Sequence, residues 1–583
     1  MSRGPSTARR AIEVWAPDAG VLALDDLDAP DGRQLRALTR DPDGTWWTSE
    51  PPAGRYWLVL DGDRIPDPRS TCQPEGFDGP SAIDDGTHGW TDHGWRGRPL
   101  DECVIYELHV GTFGGPAGFD GVIERLDHLV DLGVGAIELM PVHTFPGERG
   151  WGYDPVQLSA PHAAYGGPQG LRRLVDACHA RGLAVVMDVV YNHAGPLGNH
   201  LPRLGPYAHA AYTPWGDAVN LDGPGSDAVR RMIVEDAVRW IDVHHLDGLR
   251  IDAVHAFVDR SAVHIVEEIA AAVHAAGARA GRTTWVIAES DLNDPRVIRD
   301  VDAGGYGCDA SWSDDFHHAL HVALTGDRHG WYADFDGLAD VADALEHGYV
   351  WRGGSASFRG RRHGRPLGDL PRGRLLGYSQ THDQVGNRAL GERLCHLVRH
   401  ELAELAAGLV LTGPFVPMLF QGEEWAASTP FLYFTSHPDD DLGRAVREGR
   451  RKEFAAEHDE LDPEDIPDPQ APATFERSTL RWAERDEPEH RAMLDWYRAL
   501  VALRRAEPDL RTSAPSDTEV RRGTPPGTLV VRRGGLVVAV NLGDTAAVTG
   551  ERWREVLLAN RPEVATLAVG GTLAPHAFVV ARP

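Results

Sequence analysis

The sequence predicts an α/β protein: a (β/α)8 TIM barrel with an N-terminal β-sandwich domain and a small C-terminal antiparallel β domain. Three observations carry that expectation. Between about residues 104 and 424, eight short apolar runs alternate with amphipathic helical segments, the pattern of repeated βα units on a parallel sheet. Before them, alternating runs such as "AIEVWAP" and "RYWLVLDG" are broken by the turn signals "DPDG", "PPAG" and "DGDRIPDP". After "PDLRTS" strands return as "GTLVVRRGGLVVAVNLG" and "HAFVVARP". A chain of 583 residues exceeds one hydrophobic core. We expect an N-terminal β domain over 1–97, the barrel over 98–510 with a short insertion at 193–226, and a C-terminal β domain over 511–583.

The barrel strands are expected at "VIYELHV" (104–110), "AIELMPV" (136–142), "AVVMDVVYN" (184–192), "GLRIDAV" (248–254), "WVIAES" (285–290), "GCDASW" (307–312), "LLGYSQTHD" (375–383) and "VPMLFQGEE" (416–424). Helical patterns lie between them, including "DGVIERLDHLVDLG", "LRRLVDACHARG", "AVRRMIVEDAVRWIDVHH" and "AVHIVEEIAAAVHAAG", where apolar residues recur every three to four positions. A last helix, "RAMLDWYRALVALRRAEP", completes the ring.

Formal net charge is −29, which argues against nucleic acid or an anionic membrane as partner and favours a neutral or cationic ligand. No run approaches the ~20 apolar residues of a membrane span. The start, "MSRGPSTARR", lacks the apolar stretch of a secretory leader, so a cytoplasmic location is expected. Five scattered cysteines without a C-x-x-C pair point away from zinc or a disulfide framework, and they read as small buried hydrophobes. There is neither a phosphate loop nor metal-ligand spacing, so no cofactor and no metal is expected. Monomer and homodimer both remain open.

The chemistry is concentrated at strand ends. A charge inside a barrel strand is costly, whereas one at the C-terminal end opens into the mouth where barrel enzymes place their sites. In "GLRIDAVHA" Arg250 and Asp252 are two residues apart and share one face. The next strand ends on Glu289, the strand "LLGYSQTHD" ends on His382 and Asp383, and "DVVYNH" carries Asp188, Asn192 and His193. One strand-end carboxylate is often only a cap of the following helix. Agreement of four strands suits stabilisation of a cationic transition state, as in glycoside hydrolysis, which uses one carboxylate as nucleophile and one as proton donor.

The stretches "DVVYNH", "GLRIDAVHA", "VIAES" and "THDQVGN" resemble, in order, the four motif regions of the α-amylase family, and the resemblance extends over nearly the whole chain. It implies a retaining mechanism with Asp252 as nucleophile, Glu289 as general acid/base and Asp383 as the third carboxylate that binds and distorts the sugar. By the same resemblance Arg250 orients Asp252, His193 and His382 bind hydroxyls of the sugar to be cleaved, and Tyr153 in "WGYDPV" stacks beneath it. The peripheral stretches "VWAPDA", "YELHVGTF", "WSDDFHHALHVALTG" and "PFLYFTSHPDDDLGRAVREGRRKEF" are similar to the branch of the family that cuts the α-1,4 bond beside a terminal trehalose unit. That implies a maltooligosyl trehalose as substrate, with Asp314, Asp315 and His318 as candidate contacts to its trehalose end and His255 as a pocket-lining residue.

Ser313 and Thr381 stand where the resemblance leads one to expect asparagine; both are small polar exchanges beside the site. A branching or debranching enzyme of the same family is the alternative reading. A sugar-binding barrel without catalysis is a third, and its hallmark would be loss of one of the three carboxylates, all of which are present. His244, His245 and His264 read as residues of helices or the barrel rim, and Asp188 as structural. Trp46, Trp47, Trp57, Trp90 and Trp95 offer either a sugar platform or ordinary core packing. The acidic run "AAEHDELDPEDIPDPQ" reads as a solvated loop. The long segment after the sixth strand is expected to wall one end of the cleft.

Overall fold

The computed structural model describes residues 10–213, 216–457, 462, 464–523, 526–564 and 571–583. Eight parallel strands close into a barrel: β1 (Ile105–Leu108), β2 (Ala136–Leu139), β3 (Ala184–Val189), β4 (Gly248–Ile251), β5 (Trp285–Ala288), β6 (Ala310–Trp312), β7 (Leu375–Gly377) and β8 (Val416–Phe420). Each falls inside one of the eight runs read from the sequence. β8 pairs with β1 through Met418 opposite Ile105, which shuts the ring. All four residues of β1, β2, β4 and β5 are buried, since a barrel strand faces packed side chains on one side and helices on the other.

The helices form where the apolar stripe is widest. In Ser226–Asp242 the buried residues Val229, Ile233, Ala237, Trp240 and Ile241 follow the helical repeat and press on the barrel. Burying each such aliphatic side chain contributes about 1.5–3 kcal/mol. The stretch expected as one helix over 120–133 is two, Phe119–Ile123 and Leu126–Leu132. There Gly121 packs so closely on Gly114 that a Cβ would meet the Gly114 carbonyl oxygen, and close backbone approach takes precedence over a continuous helix.

Towards the N-terminus a three-stranded and a four-stranded antiparallel sheet share a core to which Val14 contributes from one and Leu24 and Leu58 from the other. Four of the five tryptophans singled out there are engaged with other partners. Trp46 and Trp47 donate to the Ala16 carbonyl and to Asp41, while Trp90 and Trp95 stack on His245 and His179. At the C-terminal end a five-stranded antiparallel sheet packs Phe578 against Gly408 of the helix His400–Thr412. The chain after β3 forms a helical turn, Leu201–Leu204, and a hairpin, Ala208–Thr213 with Gly216–Val219. Its middle meets the N-terminal sheets, with Tyr207 donating to the Trp15 carbonyl at 2.6 Å. The acidic run begins inside the helix Asp440–Glu457, and residues 458–461 and 463 lie outside the described residues. Among the described residues no helix is long and apolar enough to cross a membrane.

Candidate active site

At the C-terminal ends of the strands lies a cleft of about 960 Å³, at the upper end of what small-ligand sites occupy. Of the residues singled out in the sequence, Tyr153, His193, Arg250, Asp252, His255, Glu289, Asp314, His318, His382 and Asp383 all line it. Asp315 does not. It is turned away from the cleft, where Oδ2 accepts from Asn293 Nδ2 at 2.7 Å and from the backbone N–H groups of Val350 and Trp351 at 2.8 Å. Adjacent helical residues point about 100° apart, so only one of the pair Asp314 and Asp315 can face the mouth.

Arg250 occupies the middle of β4, opposite Asp188 on β3. Its Nη1 donates to Asp188 Oδ2 and to Asp252 Oδ1, both at 2.7 Å, and its Nη2 lies 3.6 Å from Glu289 Oε2. The guanidinium also sits 4.3 Å over the Trp312 ring. Asp252 follows the last residue of β4, and its Oδ2 accepts from Asn192 Nδ2 at 2.8 Å. Both oxygens of Asp252 therefore have donors.

Glu289 is held differently. Its Oε2 accepts the Ala253 N–H at 2.5 Å, which is aimed there because Ala253 adopts a left-handed conformation with φ of 41°. Burial pushes the carboxyl up to about 7, with Arg250 opposing and Asp252 adding to the shift. Two carboxyl groups beside one arginine are thus held differently, Asp252 by two side-chain donors and Glu289 by one backbone N–H with its carboxyl raised by burial. Asp383 stands in the first turn of the short helix His382–Gly386, exposed to the cleft, with Oδ1 accepting from Asn387 at 2.6 Å. Thr381 caps that helix through a bond from the Asp383 N–H, a task threonine and asparagine share, so this exchange leaves the backbone of the motif intact. Ser313 makes no such cap, and its buried hydroxyl has no hydrogen-bond partner among the described residues.

Around these groups, Tyr153 donates to Asp188 Oδ2 at 2.6 Å, and its ring lies nearly parallel to that of His382, with centroids 5.2 Å apart. His193 donates to the Tyr153 carbonyl at 2.8 Å. Burial raises Asp188 to about 6 against the pull of Arg250, and raises Asp314 to about 7 although Tyr378 donates to it at 2.6 Å. His318 is pushed down to about 3 by burial and enters the cleft as a neutral ring. His244 is buried completely rather than placed on a rim, while His264 caps the helix Ile265–Ala280.

The segment after β6 walls the cleft as expected, but five side chains were not singled out individually in the sequence. Trp331 and Tyr332, from the segment after β6, wall the cleft together with Arg359. Trp312 supports Arg250. Glu107 on β1 accepts the backbone N–H of His382 at 2.9 Å. A charge inside the apolar run "VIYELHV" was the available signal, the same one that drew attention to "GLRIDAV".

A model of the alpha amylase catalytic domain matches residues 92–200. A malto-oligosyltrehalose trehalohydrolase of Arthrobacter ramosus is 50% identical over 91% of this chain and 93% of its own length. One from Rhizobium sp. (strain M-11) is 46% identical over 98% of this chain and 97% of its own. The 1.4 Å crystal structure of a putative alpha amylase from Salmonella typhimurium superposes with a TM-score of 0.88 at 37% identity, covering 98% of this chain and 97% of the other.

Proposed function

Because the chain belongs to the malto-oligosyltrehalose trehalohydrolases of the alpha-amylase family, we propose for its cleft the following division of labour. The protein hydrolyses the α-1,4-glucosidic bond next to the terminal trehalose unit of a maltooligosyl trehalose, releasing trehalose and a maltooligosaccharide. Asp252 attacks the anomeric carbon and forms a glycosyl–enzyme ester. Glu289 gives its proton to the leaving trehalose oxygen, then takes one from the water that hydrolyses the ester, so configuration is retained. Asp383 binds hydroxyls of the reacting sugar, and Tyr153 with His382 forms the face it rests on.

The observation that carries this reading is the contrast across Arg250, with Asp252 gripped by two side-chain donors and Glu289 pushed up to about 7 by burial. An acid raised that far is still protonated in part near neutrality, which a proton donor needs. The trehalose end is proposed to lie against Trp331, Tyr332 and Arg359, the wall from the segment after β6. Relatives at about half identity favour this reaction over branching or debranching.

The test is to give the protein maltotriosyl trehalose and, separately, maltopentaose, and to identify products by chromatography. Trehalose plus maltotriose from the first with little product from the second supports the reading. Equal cleavage of both overturns the specificity, and an unchanged rate in Asp252→Asn overturns the nucleophile.

A further inference from the structure

We propose that Glu107, a carboxylate inside the barrel that does not line the cleft, is a positioning residue for the hydrolysis: it holds His382 as a doubly protonated ring whose Nε2–H fixes the Tyr153 hydroxyl. The inference rests on the reading above that Tyr153 and His382 face the reacting sugar.

Glu107 on β1 reaches across the barrel to the end of β7. Its Oε2 accepts the His382 backbone N–H at 2.9 Å, and its Oε1 lies 2.5 Å from His382 Nδ1. The opposite ring nitrogen, Nε2, is 2.8 Å from the Tyr153 hydroxyl, which is itself 2.6 Å from Asp188 Oδ2. Proton directions follow from the far end. Arginine only donates, so Asp188 Oδ2 accepts from Arg250 Nη1 at 2.7 Å. Asp188 Oδ1 has no hydrogen-bond partner among the described residues, so a proton there would be wasted. Oδ2 therefore accepts from Tyr153 as well. The single phenolic proton is then committed, and the Tyr153 oxygen must accept from His382 Nε2–H. Nδ1 is left to share the remaining proton with Glu107, and a carboxylate with a second donor on its other oxygen favours keeping that proton on the ring.

Asp188 from β3 favours a charged ring at His382, and His109, lowered to about 4 by burial, faces it as a neutral ring. Glu107 from β1 and Asp383 from its own helix favour the charged ring, while Arg250 from β4 opposes it. Burial alone would drive the ring neutral, yet the balance raises it above the usual histidine range. Glu138, beside Glu107 on β2, is raised far above the carboxylate range by burial and stays neutral, leaving Glu107 as the nearest negative charge. Tyr153 remains a neutral phenol because burial raises it well above its ordinary value.

The experiment is Glu107→Gln, read by kinetics on maltotriosyl trehalose and by NMR of ¹⁵N-labelled imidazoles in the ligand-free protein, with His382 assigned through His382→Gln. The expected results are two protonated ring nitrogens at pH 7 in the unsubstituted protein and a ring that loses one of them at pH 7 in Glu107→Gln. Turnover should fall about 100-fold with a smaller change in KM, the scale for a misplaced reacting group. In a His382→Asn background Glu107→Gln should cost under about threefold, because its route of action is gone. A single protonated nitrogen on His382 in the unsubstituted protein overturns the proposal even if Glu107→Gln does not fold. An equal loss in the His382→Asn background does so too. The NMR result does not depend on the substrate, so failure of the trehalose reading appears separately, as absent hydrolysis by the unsubstituted protein.

Discussion

Arg250 Nη1 lies 2.7 Å from Asp252 Oδ1, and the two residues leave β4 on the same face with Asp188 bonded to the same nitrogen. The arginine is fully enclosed, planar, and stacked on Trp312. A lysine offers a point charge without the fork or the flat face. Arg250→Lys should lower kcat by about 100-fold to 1000-fold, comparable to removing one electrostatic stabiliser from a reaction centre. Circular dichroism should show the barrel retained, and the rate is measured by trehalose release. Turnover within threefold of the unsubstituted protein would remove Arg250 from the mechanism.

The pH dependence of kcat/KM should carry a descending limb set by Glu289. This group must be protonated in the free protein to serve as acid, and burial pushes it up to about 7. The rate should therefore hold below about pH 7 and fall tenfold per unit above it. A profile flat to pH 9 would show that another group donates the proton.

Glu289 also links stability to pH. Its folded value of about 7 lies above the ordinary 4.5, so the folded state binds more protons than the unfolded one between those values. Stability accordingly falls as pH rises through that window, by about 3 kcal/mol. Glu289→Gln removes the penalty, so it should be inactive yet melt higher than the unsubstituted protein at pH 8, with the difference shrinking at pH 4.5. Calorimetry at the two pH values checks this, and equal melting at pH 8 contradicts it.

Asp315 controls the cleft wall from behind. Its Oδ2 holds the N–H groups of Val350 and Trp351 at the start of the hairpin Arg352–Ala356 and Arg361–Gly364. Asp315→Ala leaves both buried donors unpaired, at about 1–3 kcal/mol each. The wall should loosen, raising KM for maltotriosyl trehalose more than it lowers kcat. Hydrogen exchange at residues 350–364 should increase, and an unaltered exchange rate with unaltered KM would contradict this role.

Gly408 joins the barrel to the C-terminal sheet. A Cβ at this position would lie 2.5 Å from the Phe578 ring, with helix backbone behind it. Gly408→Ala should cost about 1–3 kcal/mol as an overpacked contact, despite the higher helix propensity of alanine. Urea unfolding measures the loss, and a gain in stability would show that the two elements slide apart freely.

The eight barrel strands, the antiparallel sheets at both ends and the strand-end groups Asp252, Glu289 and Asp383 were legible in the sequence. Apolar period and chain direction specify these features locally, and a charge that closes an apolar run marks a strand end opening to solvent. What the sequence left open is which partner each charge meets. Glu107, Glu138, Asp188 and Arg250 lie within strands, where a lone charge would be prohibitive. Three of them are tolerated through bonds to residues tens to hundreds of positions away, such as Glu107 to His382, and Glu138 is tolerated by staying neutral. The same limit explains Asp315: composition placed two acids at a helix start, and only packing decided that one faces the cleft and the other holds its wall. Partnership across a closed barrel depends on strand register and ring closure, which are properties of the assembled tertiary structure.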